Sequence, residues 1–510
     1  MSKFHSVISR RDFMKAIGLA SAGIGAASLV APVFHDLDEL ISSDSAGWQR
    51  PWWIKQKDEP TVEIDWSQIK PYDHRLIGFA AYANAQHWGL DRWKEVIAQG
   101  PAKTASLKGT KGWRIREMAL SQAGTPFADW RTKNAEFMGF STVTPETLGL
   151  PKWQGSPEEN TRMIRAAAII EGATQISTTE LGSNERNLVY TYGRQGILGM
   201  STEDQFMTKW PPPAGYWHKY EFRNVDIGYT APVDGVDGVL CVLPDRPLYD
   251  ISVMIPMAKE AWRTTSDDQK SSAMIGSEAN AARYRMFHTS TLPGIQTFIK
   301  AIGYHSYAYA KNDTAGGCLP SEASAVLGGI SEMSRSSEIC INPEYGPVTG
   351  YYSILTDLPM ASLKPIDAGI FRFCHSCRKC ADYCPSGSIS FDKEPSWEIP
   401  NFDYKVKNMC LAPGKKLFWI DITKCQSSRQ YINQCSFLCR GVCSFNVNNT
   451  ALIHEAVHVT ASTTGVFNGF FYNMSKAFGY GPLDPDDWWS MASNLPTWGT
   501  FPTQNTTRGI

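Results

Sequence analysis

Cys374-His375-Ser376-Cys377-Arg378-Lys379-Cys380-Ala381-Asp382-Tyr383-Cys384-Pro385 is the stretch on which the reading of this chain turns. Its spacing, C-x2-C-x2-C-x3-C-P, wraps three thiolates around one iron–sulfur cube and sends the fourth to a neighbouring cluster. The closing proline fixes φ and removes a donor, which keeps the chain from folding on into the cluster space. Zinc sites use two separated pairs of ligands rather than three cysteines at two-residue intervals. Thiols this crowded cannot all pair as disulfides with good geometry. A second set, Cys425, Cys435, Cys439 and Cys443, is irregular, with gaps of nine, three and three residues and Ser444 in place of the proline. Exchange of the last ligand between sets assigns Cys374, Cys377, Cys380 and Cys443 to cluster 1, and Cys384, Cys425, Cys435 and Cys439 to cluster 2. Cys410 lies near enough in sequence to replace Cys425, and that choice stays open. Cys241 sits in an apolar run and is expected in a core. A disulfide between Cys318 and Cys340 also stays open.

Working outward, the chain has 510 residues, 49 Lys+Arg against 50 Asp+Glu, 43% hydrophobic and 19% charged residues. That length and composition describe a folded protein with a large core, not a disordered or fibrous one. A net charge of -1 gives no basic excess for phosphate backbones, so nucleic acid is not an expected partner. Twelve cysteines are too few for a disulfide scaffold of this size. No zinc-protease, P-loop or nucleophile-elbow motif occurs.

Ser156-Pro157-Glu158-Glu159 is a helix start, and Met163, Ile164, Ala167, Ala168 and Ile170 continue it at helical spacing. Leu188-Val189-Tyr190 and Gly238 to Leu243 read as strands, Ala279 to His288 and Gly294 to Ile302 as helices. The middle of the chain is therefore mixed α and β. At the other end, Arg10-Arg11-Asp12-Phe13-Met14-Lys15 followed by a Gly/Ala-rich apolar run to Val33 has the grammar of a twin-arginine (Tat) export signal. That run is too short and too weakly apolar for a good anchor. Small residues near Ser43 to Ala46 are the candidates for cleavage. Export of a folded, cofactor-loaded protein explains how reduced cysteines could leave the cytoplasm.

Signal and clusters together resemble the catalytic subunits of corrinoid-dependent reductive dehalogenases. The likeness extends to Phe298-Ile299-Lys300-Ala301-Ile302-Gly303-Tyr304, Asn342-Pro343-Glu344-Tyr345-Gly346, Thr356-Asp357-Leu358-Pro359 and Lys364-Pro365-Ile366-Asp367, in the family's order. Phe467-Asn468-Gly469-Phe470-Phe471 and Phe478-Gly479-Tyr480-Gly481 are similar in the tail. The signal and Pro32-Val33-Phe34-His35-Asp36 resemble the chloroethene reductase branch.

The resemblance implies an α+β fold: a nitroreductase-like corrinoid-binding core followed by a ferredoxin-like module with two [4Fe-4S] clusters. Its implied layout is a signal over 1–45, an N-terminal region over 46–155, the corrinoid and substrate core over 156–370, the iron–sulfur domain over 371–450, and a C-terminal segment over 451–510 packing back on the core. It also implies a base-off cobamide, an organohalide substrate (a chlorinated ethene on the branch likeness), an external electron donor, and a small integral-membrane anchor protein holding the enzyme at the outer face of the cytoplasmic membrane. Reduced cobalt breaks the carbon–halogen bond, halide leaves and a proton replaces it. By the same route Tyr284 is the proton donor, Arg335 the cation beside it and Asn312 a polar contact to the tyrosine or substrate. A phenol near pKa 10 stays protonated at neutral pH, and a guanidinium stabilises the phenolate left behind. Two other readings share the clusters: an exported ferredoxin-like electron carrier, and an epoxyqueuosine reductase-like enzyme, against which the export signal speaks.

Overall fold

The computed structural model describes residues 50–491 except 79–80, 128–134, 195–216, 234–235, 311–315, 403, 406–409 and 448–451. The twin-arginine segment and Asn312 therefore lie outside the described residues.

The centre is an antiparallel sheet of β1 (Gln175–Glu180), β2 (Tyr249–Pro256), β3 (Ser306–Tyr307) and β4 (Thr349–Thr356), in the order β1-β2-β4-β3. Pairing sets Tyr352 opposite Val253 and Ile354 opposite Ile251. Every residue of β4 is buried, so the sheet must be covered on both faces. Strand alternation shows how. Ile251, Val253 and Ile255 of β2, with Tyr352 and Ile354 of β4, meet Ile164 and Ala168 of α1 (Pro157–Ile170) and Ile295 and Ile299 of a second helix. On the other face, Met254 and Tyr351 meet Ala325 and Val326.

α1 starts where the sequence signals it. The Ser156 hydroxyl accepts from the Glu159 amide at 3.2 Å, and Pro157 occupies the first turn. The next two expected helices are α2 (Met274–Met286) and α3 (Leu292–Ala301), joined without a break by a π-helical turn over Phe287–Thr291. The turn buries Phe287 flat on Tyr352, ring centroids 3.7 Å apart, which docks the α2–α3 junction on the sheet. α4 (Ser321–Leu327) covers the opposite face.

One strand expectation fails. Glu185–Leu188 is a 3-10 turn, and pairing begins only at Tyr192. The Tyr190 amide donates to the Cys318 carbonyl and Thr191 to that of Tyr72. Val189 and Tyr190 are buried in a core, so their hydrophobicity reports packing rather than sheet pairing. The Gly238–Leu243 run is a strand, Val236–Pro244, in a second sheet with Tyr192–Arg194, Trp217–Arg223 and Tyr229–Val233, of which Trp217–Arg223 runs parallel to it. Cys241 is fully buried there, beside Cys318. Cys340 belongs to the core under α4, and both Cys318 and Cys340 are free thiols.

The cysteine region follows α5 (Ile370–Ser376), and the strand pair Lys55–Gln56 with Ile366–Asp367 ties the N-terminal region to the residues before it. α6 (Leu452–Thr463) and α7 (Asn468–Ala477) pack on α5. Farther on, the Leu483 amide donates to Arg263 and the Trp489 indole to Glu117, carrying the tail back to the first half of the chain. Among the described residues no helix is long and apolar enough to cross a membrane.

Ile354 is fully buried between α1, α3 and the sheet, so Ile354→Ala should cost about 3 kcal/mol in urea unfolding. Loss of the Ser156 cap in Ser156→Ala should cost about 1 kcal/mol.

Candidate active site and cysteine chambers

Glu332 and Arg335, three residues apart, hold α5 from opposite ends. Glu332 is buried and accepts from the amides of Ala368 at 2.6 Å, Ile370 at 3.3 Å and Phe371 at 3.3 Å, and from the Thr61 hydroxyl at 2.9 Å. A carboxylate there satisfies the orphan N–H groups of the first turn. Burial pushes its carboxyl up to about 7, against the pull of those donors. Gly369 precedes α5 at φ 75°, a left-handed conformation that also leaves room for the Ala461 carbonyl.

Arg335 grips the other end. Its Nε donates to the carbonyls of Cys374 (3.0 Å) and Cys377 (2.9 Å), Nη1 to Ser390 (2.9 Å) and Asp392 (2.7 Å), and Nη2 to Cys374 (2.7 Å) and His375 (3.3 Å). The guanidinium also lies 4.0 Å from the Phe418 ring centre. This corrects the expectation that Arg335 stands beside Tyr284. All three of its nitrogens are committed to backbone carbonyls, and it does not line the cavity that contains Tyr284.

Held this way, the cysteines surround two small chambers. Cys374, Cys377, Cys380 and Cys443 line one of about 30 Å³, which Cys439 also borders. Cys384, Cys425, Cys435 and Cys439 line one of about 20 Å³. The four-residue turns Lys379–Asp382 and Leu438–Gly441 face each other between them. Two left-handed residues accompany the irregular Cys435–Cys439 spacing: Gln434, φ 53°, just before it, and Phe437, φ 57°, inside it at the start of the second turn. Amides of Phe437 and Leu438 point at the Cys435 sulfur, and that of Lys379 at Cys377. Burial pushes the thiols of Cys374, Cys377, Cys380, Cys425, Cys435, Cys439 and Cys443 up, the last to about 12, so they need a cation to hold them as thiolates. Among the described residues no group of three or more His, Cys, Asp or Glu converges closely enough for a single metal ion. The thiols stand around voids instead. Cys410 is in neither chamber; its sulfur lies 2.7 Å from His87 Nε2.

A cavity of about 840 Å³ adjoins the second chamber, with Glu338, Arg429 and Phe437 forming the shared wall. Asn280, Arg283 and Tyr284 of α2 enter it at i, i+3 and i+4 on one helical face. Arg283 Nη2 donates to the Tyr284 hydroxyl at 2.9 Å and its Nε to Asn280 Oδ1 at 3.0 Å. The cation beside the phenol is thus the preceding residue in the chain. That helical face was the available sequence signal for Arg283. Two carboxylates, Glu322 and Glu338, also line the cavity. Burial pushes Glu338 up to about 7, and its Oε2 stands 4.0 Å from the Cys425 sulfur. Ser321 Oγ and Arg440 Nε, both buried at the wall, have no protein partner, as expected of a site shaped for a polar-edged ligand. The volume is at the upper end for cofactor sites.

Two cysteine-lined chambers thus adjoin a large cavity that holds a guanidinium-bound phenol. Residues 49–360 match the sequence profile described as reductive dehalogenase subunit. The chain is 30% identical over 540 residues to a chloroethene reductive dehalogenase of Dehalococcoides mccartyi, covering 96% of this chain and 98% of that one. It is 31% identical over 569 residues to a trichloroethene reductive dehalogenase of the same species, covering 96% and 97%. The fold resembles that of the catabolic reductive dehalogenase NpRdhA, with TM-score 0.53, 15% identity and 84% of this chain aligned; the aligned part spans about half (48%) of that longer chain. A second solved reductive dehalogenase, described as B12-dependent, aligns with TM-score 0.52, 15% identity, 88% of this chain and 55% of that one. The chain belongs to the reductive dehalogenase subunit family. It is an oxidoreductase acting on carbon–halogen bonds.

Arg335→Ala strands several buried carbonyls and should destabilise the protein by about 3 kcal/mol or more in chemical unfolding. Glu338 carries the opposite kind of effect, seen in pH. Its folded pKa is raised, so the stability it contributes is fully present below the ordinary carboxylate range and lost as pH rises through about 7. In metal-free protein, Glu338→Gln should flatten that decline, read from urea midpoints across the pH range.

Proposed function

We propose that this reductive dehalogenase is an exported, cobamide-dependent enzyme that removes halide from a chlorinated ethene as the terminal step of an anaerobic respiration. The large cavity beside a four-cysteine chamber carries this reading. On it, the buried sheet and α1 to α4 form the nitroreductase-like core, and the two cysteine sets form a ferredoxin-like module with two [4Fe-4S] clusters. The first chamber would hold cluster 1 with Cys374, Cys377, Cys380 and Cys443. The second would hold cluster 2 with Cys384, Cys425, Cys435 and Cys439. Burial of these thiols, the amides aimed at their sulfurs and the voids between them fit cubane clusters.

The cavity suits a cobamide in size, in its mixed apolar and polar lining and in its orphaned Ser321 and Arg440 atoms. When bound there, a cobamide supplies the low-potential metal centre that takes electrons to the carbon–halogen bond. Cluster 2 shares the broader wall with the cavity, Glu338, Arg429 and Phe437, whereas cluster 1 meets it at Arg440 alone, so electrons from an external donor would pass cluster 1, then cluster 2, then the cavity. Tyr284 is the proton donor. Its hydroxyl accepts from Arg283, and the guanidinium stabilises the phenolate formed when the proton is given to carbon. Asn312, outside the described residues, remains a proposed polar contact. The Tat-type segment supports export, and a small membrane anchor protein would hold the enzyme at the outer face of the cytoplasmic membrane. The 30% likeness to the chloroethene enzyme supports the substrate class.

Halide release from a chlorinated ethene with a reduced viologen as donor tests the reading. Tyr284→Phe should cut the rate by about 100-fold or more with iron content unchanged; full turnover would remove Tyr284 as donor. Cys425→Ala should lose about half of the iron, whereas Cys410→Ala should keep all of it.

A further inference from the structure

Arg440 follows the chamber ligand Cys439, and it borders both the first cysteine chamber and the large cavity. It is buried, at 6% exposure. Nη1 donates to the Thr349 carbonyl of β4 at 3.0 Å, which fixes the side chain to the central sheet. The guanidinium lies 5.0 Å from the Phe437 ring and 5.5 Å from that of Trp262, and its Nε has no protein partner. Within its electrostatic reach are Cys439 on the cluster side and Tyr284, Arg283 and Glu322 on the cavity side. No carboxylate forms an ion pair with it among the described residues, so its charge is left to act on its surroundings. An arginine stays cationic even when buried.

We propose that Arg440 is a positioning residue for electron transfer, a fixed cation between the first chamber and the cavity that raises the reduction potential of cluster 2 through the adjacent Cys439, the ligand that lines both chambers. This rests on the two-cluster reading above. Reduction adds one negative charge to a cluster, and a nearby cation in a low-dielectric setting stabilises that added charge. One electron then leaves the cluster, oxidising it, and one arrives at the acceptor in the cavity, reducing it; Arg440 exchanges nothing and acts through its charge. Glu322, which lines the cavity and interacts with Arg440, opposes the effect.

Potentiometric titration of the anaerobically purified holoenzyme, followed by electron paramagnetic resonance, tests the proposal. Arg440→Gln should move one cluster signal to more negative potential, Arg440→Lys should stay near wild type, and Glu322→Gln should move the same signal to more positive potential. An unshifted Arg440→Gln, or an Arg440→Lys shifted as far as Arg440→Gln, overturns it. Should Arg440→Gln fail to fold, an unshifted Glu322→Gln overturns it instead. A wild-type enzyme without two cluster signals contradicts the two-cluster reading itself, a result separate from any effect of Arg440.

Discussion

Everything around the cysteines depends on how α5 is held. Glu332 takes the amides at its first turn and Arg335 takes the carbonyls at its last, from a single short stretch of chain. Two buried charged groups are costly unless their hydrogen bonds are complete. Here they are spent on backbone that otherwise would lie unsatisfied next to a void. The consequence is that Cys374, in the last turn of α5, and Cys377, at its C-cap, both line the first chamber. Arg335 also ties in Ser390 and Asp392, so the chain leaving the first motif is fixed by the same side chain.

The second half of the site depends on the π-helical turn. By stacking Phe287 on Tyr352, it sets the rotation of α2, and that rotation carries Arg283 and Tyr284 to the cavity. Tyr352 closes the phenol from the sheet side, its ring edge-on to Tyr284 with centroids 6.0 Å apart. The sheet therefore does more than carry the core: β4 supplies Tyr352 to the phenol and the Thr349 carbonyl to Arg440.

What the sequence revealed followed from how locally each feature is encoded. Cluster spacing is a local property, so the C-x2-C-x2-C-x3-C-P run stands out in the sequence; of the eight cysteines sorted into two sets, seven line one chamber each and Cys439 borders both. The helix at Ser156 was legible because its cap and its proline are adjacent in the chain. The choice between Cys425 and Cys410 was not, because it turns on His87, more than 300 residues from Cys410. Arg335 misled because its position relative to family blocks says nothing about where a long side chain points. Arg283 is signalled only by its place on the Tyr284 face of α2, and Arg440 by nothing local, since its surroundings arise only where α2, β4 and the cysteine turns meet. Leu188-Val189-Tyr190 shows the remaining weakness, since an apolar run can be buried as a loop as readily as paired in a sheet.

The joining of an iron–sulfur module to a cavity for a corrinoid is best tested by metal analysis of anaerobically purified protein reconstituted with a cobamide. About eight irons and about one cobalt per chain are expected. Iron at that level with no cobalt retained would contradict the cavity's assignment, and only about four irons would contradict the pair of chambers.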